Sequence, residues 1–344
     1  MARHKIYDGS YFKLPFLLWK YKMDYRFSEI LKAHSCLAVR HETSRNKVDA
    51  LRGSFEQDVK LNTQTTTIYC AGSVAREEIG NKSDLDLFFV SEDQIECSDT
   101  NLAKELYAQA SIHGEVHKFP RIVIGRYSLV YSAHEMQEKT GTPLDDAENL
   151  FTARMLLLLE SNYITNKELY FKQINNVLNN YFRDSKGKHY FRPLFLLNDI
   201  LRYWRTLCLN YEQIRTGNKP WGKKNINLKF ARMITVYGTV LPLISKPMSD
   251  ALDMASLCRM RPLERFAYGL DLLNAPELTD RFREFLDIYE DFLSWKELDE
   301  VDGFVQDRVM KDDIRKAADK FSLFIYDAVM HNNVGKEYKR FLVI

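Results

Sequence analysis

Apolar residues follow two different patterns along the chain, and the pattern changes at about residue 140. Before that point, short apolar runs bounded by turn residues predict strands, and helical spacing predicts helices within 1–60 and at 101–112. The predicted strands are 68–71, 85–90, 122–124 and 128–131. After that point, apolar residues recur every three or four positions, which predicts a series of helices. The predicted helices are 150–159, 167–182, 194–215, 225–245, 248–258, 262–273, 277–298 and 304–330.

This pattern predicts an α+β protein in which a small mixed sheet, with helices on one side, precedes an all-α helical bundle. The length of 344 residues suits two domains. We place the sheet domain at 61–140 and the bundle domain at 141–344. Residues 1–60 are expected to form a helical segment packed on the sheet domain, with 43–59 against the sheet. The run 150–159 is too apolar for a surface helix and is expected at the centre of the bundle.

The composition suits a protein with substantial cores and without a membrane span. Hydrophobic residues make up 45% of the chain and aromatic residues 13%. The five cysteines are scattered without a paired motif, which favours reduced thiols over a disulfide framework. No signal peptide is apparent, and the apolar run at 14–19 is too short to cross a bilayer. We therefore expect a cytoplasmic protein that has no membrane partner.

The most specific chemical signal lies between residues 71 and 90. Side chains alternate across a strand, so Asp84 and Asp86 are expected to leave the same face of the strand at 85–90. Two adjacent carboxylates repel each other, and a hard divalent cation such as Mg²⁺ is the usual compensation. Upstream, Gly72 permits close backbone approach, and Ser73 offers a hydroxyl and an N–H group to a phosphate. These residues together predict a site for a nucleoside triphosphate.

With Arg76 and the run Ser83-Asp84-Leu85-Asp86-Leu87, this stretch resembles the signature of the polymerase β-type nucleotidyltransferase superfamily. The arginine three residues after the serine, and the serine before the first aspartate, are most similar to the bacterial PII-uridylyltransferase-like branch. Two later blocks, 145–161 and 197–205, resemble helices of that branch and of uncharacterised bacterial relatives. The resemblance extends over about 65–235, and its first block carries most of the specificity.

The resemblance implies that 61–140 is a nucleotidyltransferase core and that an acceptor hydroxyl receives a nucleotide with pyrophosphate release. It implies that Asp84 and Asp86 are catalytic and hold Mg²⁺, or Mn²⁺ in its place. The β- and γ-phosphates would lie on Gly72 and Ser73, and Ser83 would orient the turn and the first aspartate.

Arg76 has two interpretations. It either stabilises phosphate charge or pairs with a nearby carboxylate, for which Glu77, Glu78 and Asp84 are the candidates. The structural role is the favoured one.

A third metal-binding carboxylate is not evident from the sequence. Glu115 and Glu135 are the candidates, yet neither lies in an apolar strand, and ordinary surface positions are favoured for both. The nearby histidines have no zinc-binding spacing and are interpreted as surface residues. They are His113, His117 and His134.

Basic residues are concentrated between 183 and 232, with twelve Lys or Arg against three Asp or Glu. Lys223 and Lys224 stand beside Trp221 in a predicted loop that is expected either to bind nucleotide phosphates or an RNA end, or to be solvated. In the second case the loop would pair with the acidic helix near residue 290. Asp199, Arg202 and Arg205 are expected to form a structural ion-pair ladder.

The identity of the acceptor stays open at this point. A protein hydroxyl and an RNA end both suit the resemblance, as does a cyclic-oligonucleotide synthase or a toxin-type effector. The alternative from another class is a catalytically silent nucleotide sensor, which the missing third acid motivates. The preferred base and the oligomeric state cannot be inferred from the sequence.

Overall fold

The computed structural model describes residues 25–93, 100–120, 129–188, 191–215, 221–248, 250–298 and 308–342. The predicted strand at 122–124 and the first 24 residues of the predicted N-terminal helical segment lie outside these ranges. No helix within these ranges combines the length and the apolar character needed to cross a membrane.

The strands form one four-stranded mixed sheet. Its strands are β1 (Thr66–Ala71), β2 (Asp86–Ser91), β3 (Val130–Ser132) and β4 (Ser161–Tyr163). They lie in the order β3-β2-β1-β4, with β1 antiparallel to both neighbours and β2 parallel to β3. The predicted strands at 68–71, 85–90 and 128–131 correspond to the first three. The fourth comes from the region assigned to the all-α bundle, so the predicted boundary at residue 140 does not separate strands from helices.

Six helices lie in the described residues of the first half. They are α1 (Arg26–Ala33), α2 (Ser35–Glu56), α3 (Gly72–Ala75), α4 (Thr100–Val116), α5 (Glu135–Glu138) and α6 (Pro143–Ala147).

Helices, joined by turns and loops, and the single strand β4 make up the described residues of the second half. Its α-helices are α7 (Leu150–Leu159), α8 (Lys167–Tyr181), α9 (Leu194–Arg215), α10 (Trp221–Asn227), α11 (Met233–Ser245), α12 (Ala251–Cys258), α13 (Pro262–Leu273), α14 (Thr279–Trp295), α15 (Arg308–Val329) and α16 (Lys336–Arg340). A π-helix (Leu228–Arg232) joins α10 to α11, and a short 3₁₀ turn (Pro276–Leu278) precedes α14. These bounds confirm a mixed α+β protein.

Helices cover both faces of the sheet. Ile68, Leu87 and Phe89 point to one face and pack with apolar residues of α2 and α4. Tyr69 and Phe88 point to the other face and belong to the core of the helical bundle. The prediction of helices on one side of the sheet is therefore wrong. The physical reason is that β1 and β2 carry apolar side chains on both faces, and both must be buried.

The N-terminal helices are divided between the two halves. Helix α2 packs on the sheet, as predicted for 43–59. Helix α1 instead docks on the bundle, where Asp271 accepts hydrogen bonds from the N–H groups of Phe27 (2.8 Å) and Ser28 (3.1 Å). These are first-turn N–H groups that lack partners within the helix, so Asp271 caps α1. Packing on the sheet domain thus holds for α2 and not for α1.

Helix α7 is the central helix that its sequence predicts, with nine of its ten residues buried. Arg154, in the middle of α7, donates to both carboxylate oxygens of Asp145 (2.8 and 2.7 Å) and to the Tyr181 hydroxyl (2.9 Å). Asp199 accepts from Tyr181 (2.7 Å) and lies 3.6 Å from Arg202. The Asp199–Arg202 part of the predicted ladder is therefore present, within a larger buried network.

Stability is expected to decrease in mild acid because His41 is buried as a neutral side chain. Burial and the nearby Arg261 guanidinium lower the pKa of His41 from 6.5 to about 4. The unfolded chain takes up this proton near pH 6.5 and the folded chain only near pH 4, so acid favours unfolding between these values. We expect the free energy of unfolding to fall by about 2 kcal/mol between about pH 7 and about pH 5 from this group.

Urea unfolding at the two pH values measures this effect. The variant His41→Asn should have a flatter pH dependence than the wild type, whereas His134→Asn, which alters a histidine with a side chain 73% exposed, should keep the wild-type slope. An unchanged slope in His41→Asn would exclude His41 as the source.

Candidate nucleotide-binding site

The Gly-Ser turn and the second aspartate lie side by side. Strand β1 ends at Ala71, which pairs directly with Asp86, the first residue of β2. Gly72 follows with φ +68°, a left-handed conformation that favours glycine, and opens the single turn α3. A Cβ atom at Gly72 would lie 3.1 Å from Asp86 Oδ2. The absence of a side chain at residue 72 thus leaves room for the Asp86 carboxylate beside the turn.

Burial around the two aspartates alternates as the sequence predicts. Asp84 and Asp86 are half-buried, whereas Leu85 and Leu87 are buried in the sheet core. The Ser83 hydroxyl accepts a hydrogen bond from the Gly80 N–H (2.9 Å), so this serine fixes the turn that leads into the first aspartate. Ser73 is half-buried in α3.

Neither candidate for a third carboxylate is near this pair. Glu115 is exposed at the end of α4. Glu135 follows β3, which runs parallel to β2 and ends opposite Ser91. It therefore lies at the end of the sheet opposite Asp86, about 17 Å along the strand direction. Its carboxylate pairs with Lys139 at 2.6 Å.

The two aspartates nevertheless fit a magnesium ion. Within the described ranges, no group of three or more His, Cys, Asp or Glu side chains could hold a metal ion. Mg²⁺ is commonly held by one or two carboxylates that share it with substrate phosphates and water. Asp84 and Asp86 would supply such oxygen ligands, and the glycine at residue 72 leaves the Asp86 carboxylate directly beside the Gly-Ser turn.

Arg76 lies in the protein interior rather than on the surface of the turn. Its Nε donates to Glu78 (2.8 Å) and its Nη1 to Glu160 (2.6 Å). The Tyr289 hydroxyl donates to the other oxygen of Glu78 (2.6 Å). Burial opposes ionisation of Glu78, but the Arg76 charge and the Tyr289 hydrogen bond lower the pKa of this carboxyl. Arg76 thus has the structural role favoured from the sequence, with Glu78 as one of the anticipated partners.

Glu160 and Arg232 extend this chain of charges toward the Gly-Ser turn. Glu160 immediately precedes β4, whose first residue pairs with Ala71. Its carboxylate is fully buried; it contacts the Arg232 guanidinium through one oxygen and accepts from the Thr235 hydroxyl (3.3 Å) through the other. Burial and the Arg76 charge lower the pKa of Arg232 to about 10, whereas the Asp86 carboxylate acts in the opposite direction.

The ionic chain Glu78–Arg76–Glu160–Arg232 was not anticipated as a unit. A signal for Glu160 existed, because it is a lone acid at the end of the apolar run 150–159. Arg232 stands within the basic stretch recognised from the sequence, but its partner cannot be read from that stretch.

The predicted basic loop is helical from Trp221 onward, because α10 continues into the π-helix and α11. Lys224 is exposed on α10. Lys223 belongs to the same helix, and its side chain lies outside the described part of the chain. The acidic helix α14 does not pair with this stretch among the described ion pairs; Asp287 instead contacts His34 at 3.2 Å.

The segment that follows α14 contacts the loop that leads to Asp84. Glu297 accepts from the Asn81 N–H (2.9 Å) and from Arg40 (3.1 Å). Gly80 packs so closely on the Glu297 carboxylate that a Cβ there would overlap it. Lys82 donates to the Leu298 carbonyl (2.8 Å). The loop before the aspartates is therefore fixed by the C-terminal half of the chain.

A small cleft of about 90 Å³ borders the other side of α3. It lies between β4 and the segment after α12, and it includes neither Asp84 nor Asp86. Its polar and aromatic lining includes Glu77, Ser161, Tyr163, Tyr170, Phe171 and Arg259.

Comparison with known proteins gives no assignment: no protein-family model matches the chain, and no curated protein is significantly similar to it in sequence.

The effect of the close contact between residue 72 and Asp86 can be tested by comparing Gly72 with a second glycine that lacks such a contact. Gly187 also has a left-handed backbone (φ +79°), but a Cβ there would meet no atom within 4 Å. Both Gly72→Ala and Gly187→Ala should lose about 1 kcal/mol of stability from the backbone conformation. Only Gly72→Ala should lose appreciably more, because its Cβ crowds Asp86. Equal losses in urea unfolding would show that the Asp86 contact is unimportant for folding.

The ionic chain should be sensitive to removal of its central cation. Arg76→Met leaves Glu78 and Glu160 buried with one partner fewer each, and we expect a loss of about 3 to 5 kcal/mol in the free energy of unfolding. Arg183→Met removes a cation with a side chain 71% exposed and should cost less than about 1 kcal/mol. Chemical denaturation measures both; comparable small losses would contradict a structural role for Arg76.

Proposed function

We propose that this chain is a Mg²⁺-dependent nucleotidyltransferase of the polymerase β type, which transfers a nucleoside monophosphate from a triphosphate to an acceptor hydroxyl. The observation that carries the proposal is the direct pairing of Ala71 with Asp86, which sets the Gly-Ser turn beside the Asp-x-Asp strand. The sequence separates the two motifs by about ten residues, and the pairing of β1 with β2 brings Gly72 and Asp86 side by side.

In the proposed site, one set of residues binds the phosphates and another holds the cation that offsets their charge. The N–H groups of α3 and the Ser73 hydroxyl would bind the terminal phosphates, and Gly72 gives them access. Asp84 and Asp86 would hold Mg²⁺, which when bound supplies a Lewis acid that offsets phosphate charge. The acceptor oxygen would form a bond to the α-phosphorus as the bond to pyrophosphate breaks, and the hydroxyl proton passes to solvent. Positioning supplies most of the catalysis in such a site.

The acceptor is proposed to be a hydroxyl of a protein or of an RNA end. The excess of basic residues between 183 and 232, of which Lys224 is exposed on α10, supports an acceptor with phosphate groups.

A second candidate function is nucleotide binding without transfer. It is supported by the positions of Glu115 and Glu135. Both lie away from Asp84 and Asp86, so neither can act as a third carboxylate there. It is also supported by the Arg232 cation, whose charge interacts with Asp86. A sensor of this kind would bind a triphosphate and release no pyrophosphate.

Pyrophosphate release from each labelled nucleoside triphosphate, with Mg²⁺ or Mn²⁺ and with total RNA or cell protein as acceptor, tests the proposal. Asp86→Asn and Asp84→Ala should reduce release by at least about a thousandfold while keeping the fold, because each removes one of the two carboxylates that would position the cation against the phosphates. Asp280→Asn alters an aspartate with a side chain 98% exposed and should keep full activity.

Label recovered on RNA, on protein or in a small cyclic product would identify the acceptor. Release that persists in both site variants would refute the assignment of the aspartates. Binding of a triphosphate without release under any condition would establish the second candidate instead.

A further inference from the structure

The four charged side chains of the ionic chain differ in their access to solvent. Arg76, Glu78 and Glu160 have side chains 4%, 2% and 0% exposed, whereas that of Arg232 is 30% exposed. Arg232 is thus the member of the ionic chain that lies closest to solvent, although its Nη1 atom beside Glu160 is buried.

Loss of the Arg232 contact should also destabilise the ionic chain less than loss of the two Arg76 contacts. Arg76 bridges two buried carboxylates, so its departure would leave both with an unbalanced charge. Arg232 contacts one oxygen of Glu160. If Arg232 turned away, this buried oxygen would lose its contact, while the other oxygen would keep Arg76 (2.6 Å) and Thr235 (3.3 Å) as donors.

The position of Glu160 brings the Arg232 guanidinium to the Gly-Ser turn. Ala71, the last residue of β1, pairs with Asp86 on one side and with Ser161 on the other. Neighbouring strands lie about 4.8 Å apart, so Asp86 and the start of β4 are about 10 Å from each other, with the turn between them. A cation on Glu160 therefore stands across the turn from Asp86.

The backbone around Arg232 supports a functional role. Arg232 is the last residue of the π-helix, a rare conformation that is frequent at functional sites. The same π-helix is anchored by Phe230, which is fully buried and stacks on Phe292 at 5.0 Å. The bundle core thus presents Arg232 to the sheet from a fixed backbone.

We propose that Arg232, and not Arg76, is the arginine that binds the β- and γ-phosphates of the nucleoside triphosphate. The inference rests on the proposed nucleotide site and assigns to it a residue from the helical half of the chain. A guanidinium presents several donors in a planar fork that matches phosphate oxygens. On binding, Arg232 turns from Glu160 to the phosphates, and Arg76 keeps the Glu160 carboxylate paired.

Equilibrium binding of a nucleoside triphosphate and of the matching monophosphate, both with Mg²⁺, tests this assignment. Arg232→Ala should weaken triphosphate binding by at least about tenfold and change monophosphate binding by less than about twofold. Arg232→Lys keeps the charge and should restore part of the loss. Arg281→Ala removes a cation from a half-exposed pair with Asp327 and should leave both affinities unchanged.

The outcomes separate this inference from the function on which it rests. A wild-type protein that binds no triphosphate refutes the nucleotide site itself and the assignment of Arg232 with it. Wild-type affinity in Arg232→Ala overturns the assignment alone. Equal losses for triphosphate and monophosphate also overturn it, because a purely structural defect does not discriminate between phosphate numbers.

A measurement on the wild type covers the case in which the alanine variant does not fold. Phenylglyoxal modifies accessible arginines, and peptide mass spectrometry locates the modified residues. The triphosphate with Mg²⁺ should protect Arg232, and the monophosphate should not. Modification of Arg232 at the same rate with and without triphosphate would overturn the assignment.

Discussion

Glu160 brings a fully buried carboxylate between the sheet and the helical bundle, and much of the site depends on how that charge is neutralised. An uncompensated carboxylate in such a place would be strongly destabilising. Arg76 from the segment after α3 and Arg232 from the π-helix supply the compensation. Glu78 and Tyr289 then complete the pairing of Arg76. The need to satisfy one acid therefore fixes the relative places of α3, β4, the π-helix and α14.

Helix α7 delivers this carboxylate to its place. The helix is buried along its length, and Arg154 at its centre is satisfied by Asp145 and Tyr181. At its end, the buried Arg265 guanidinium donates to the carbonyls of Leu158 and Leu159. A cation at a helix C-terminus satisfies carbonyls that lack intrahelical partners and interacts favourably with the helix dipole. The polar groups of α7 are thus satisfied at the points where it meets other elements.

The sequence predicts local features of this site well and its long-range features poorly. The alternation around Asp84 and Asp86 and the turn at Gly72 follow from residues close in the chain, and the structure has both. The three residues of β4 are too few to stand out from helical surroundings, and pairing with β1 is decided by a distant partner. The apolar residues on both faces of β1 are a sequence feature that predicts helices on both sides of the sheet. No sequence feature predicts the contact between Glu160 and Arg232, because a single sequence does not show which buried charged residues contact each other.

The pairing of β4 with β1 has a consequence for how the chain reaches its fold. Strand β1 lies inside the sheet only after Ser161–Tyr163 has arrived from beyond α7. A fragment that ended near residue 140 would leave the hydrogen-bonding edge of β1 uncovered, and such edges recruit other strands and promote aggregation. It would also expose the sheet face that packs with the bundle. During synthesis the sheet can therefore be completed only after Ser161–Tyr163 has been made, and we expect the two halves to unfold together.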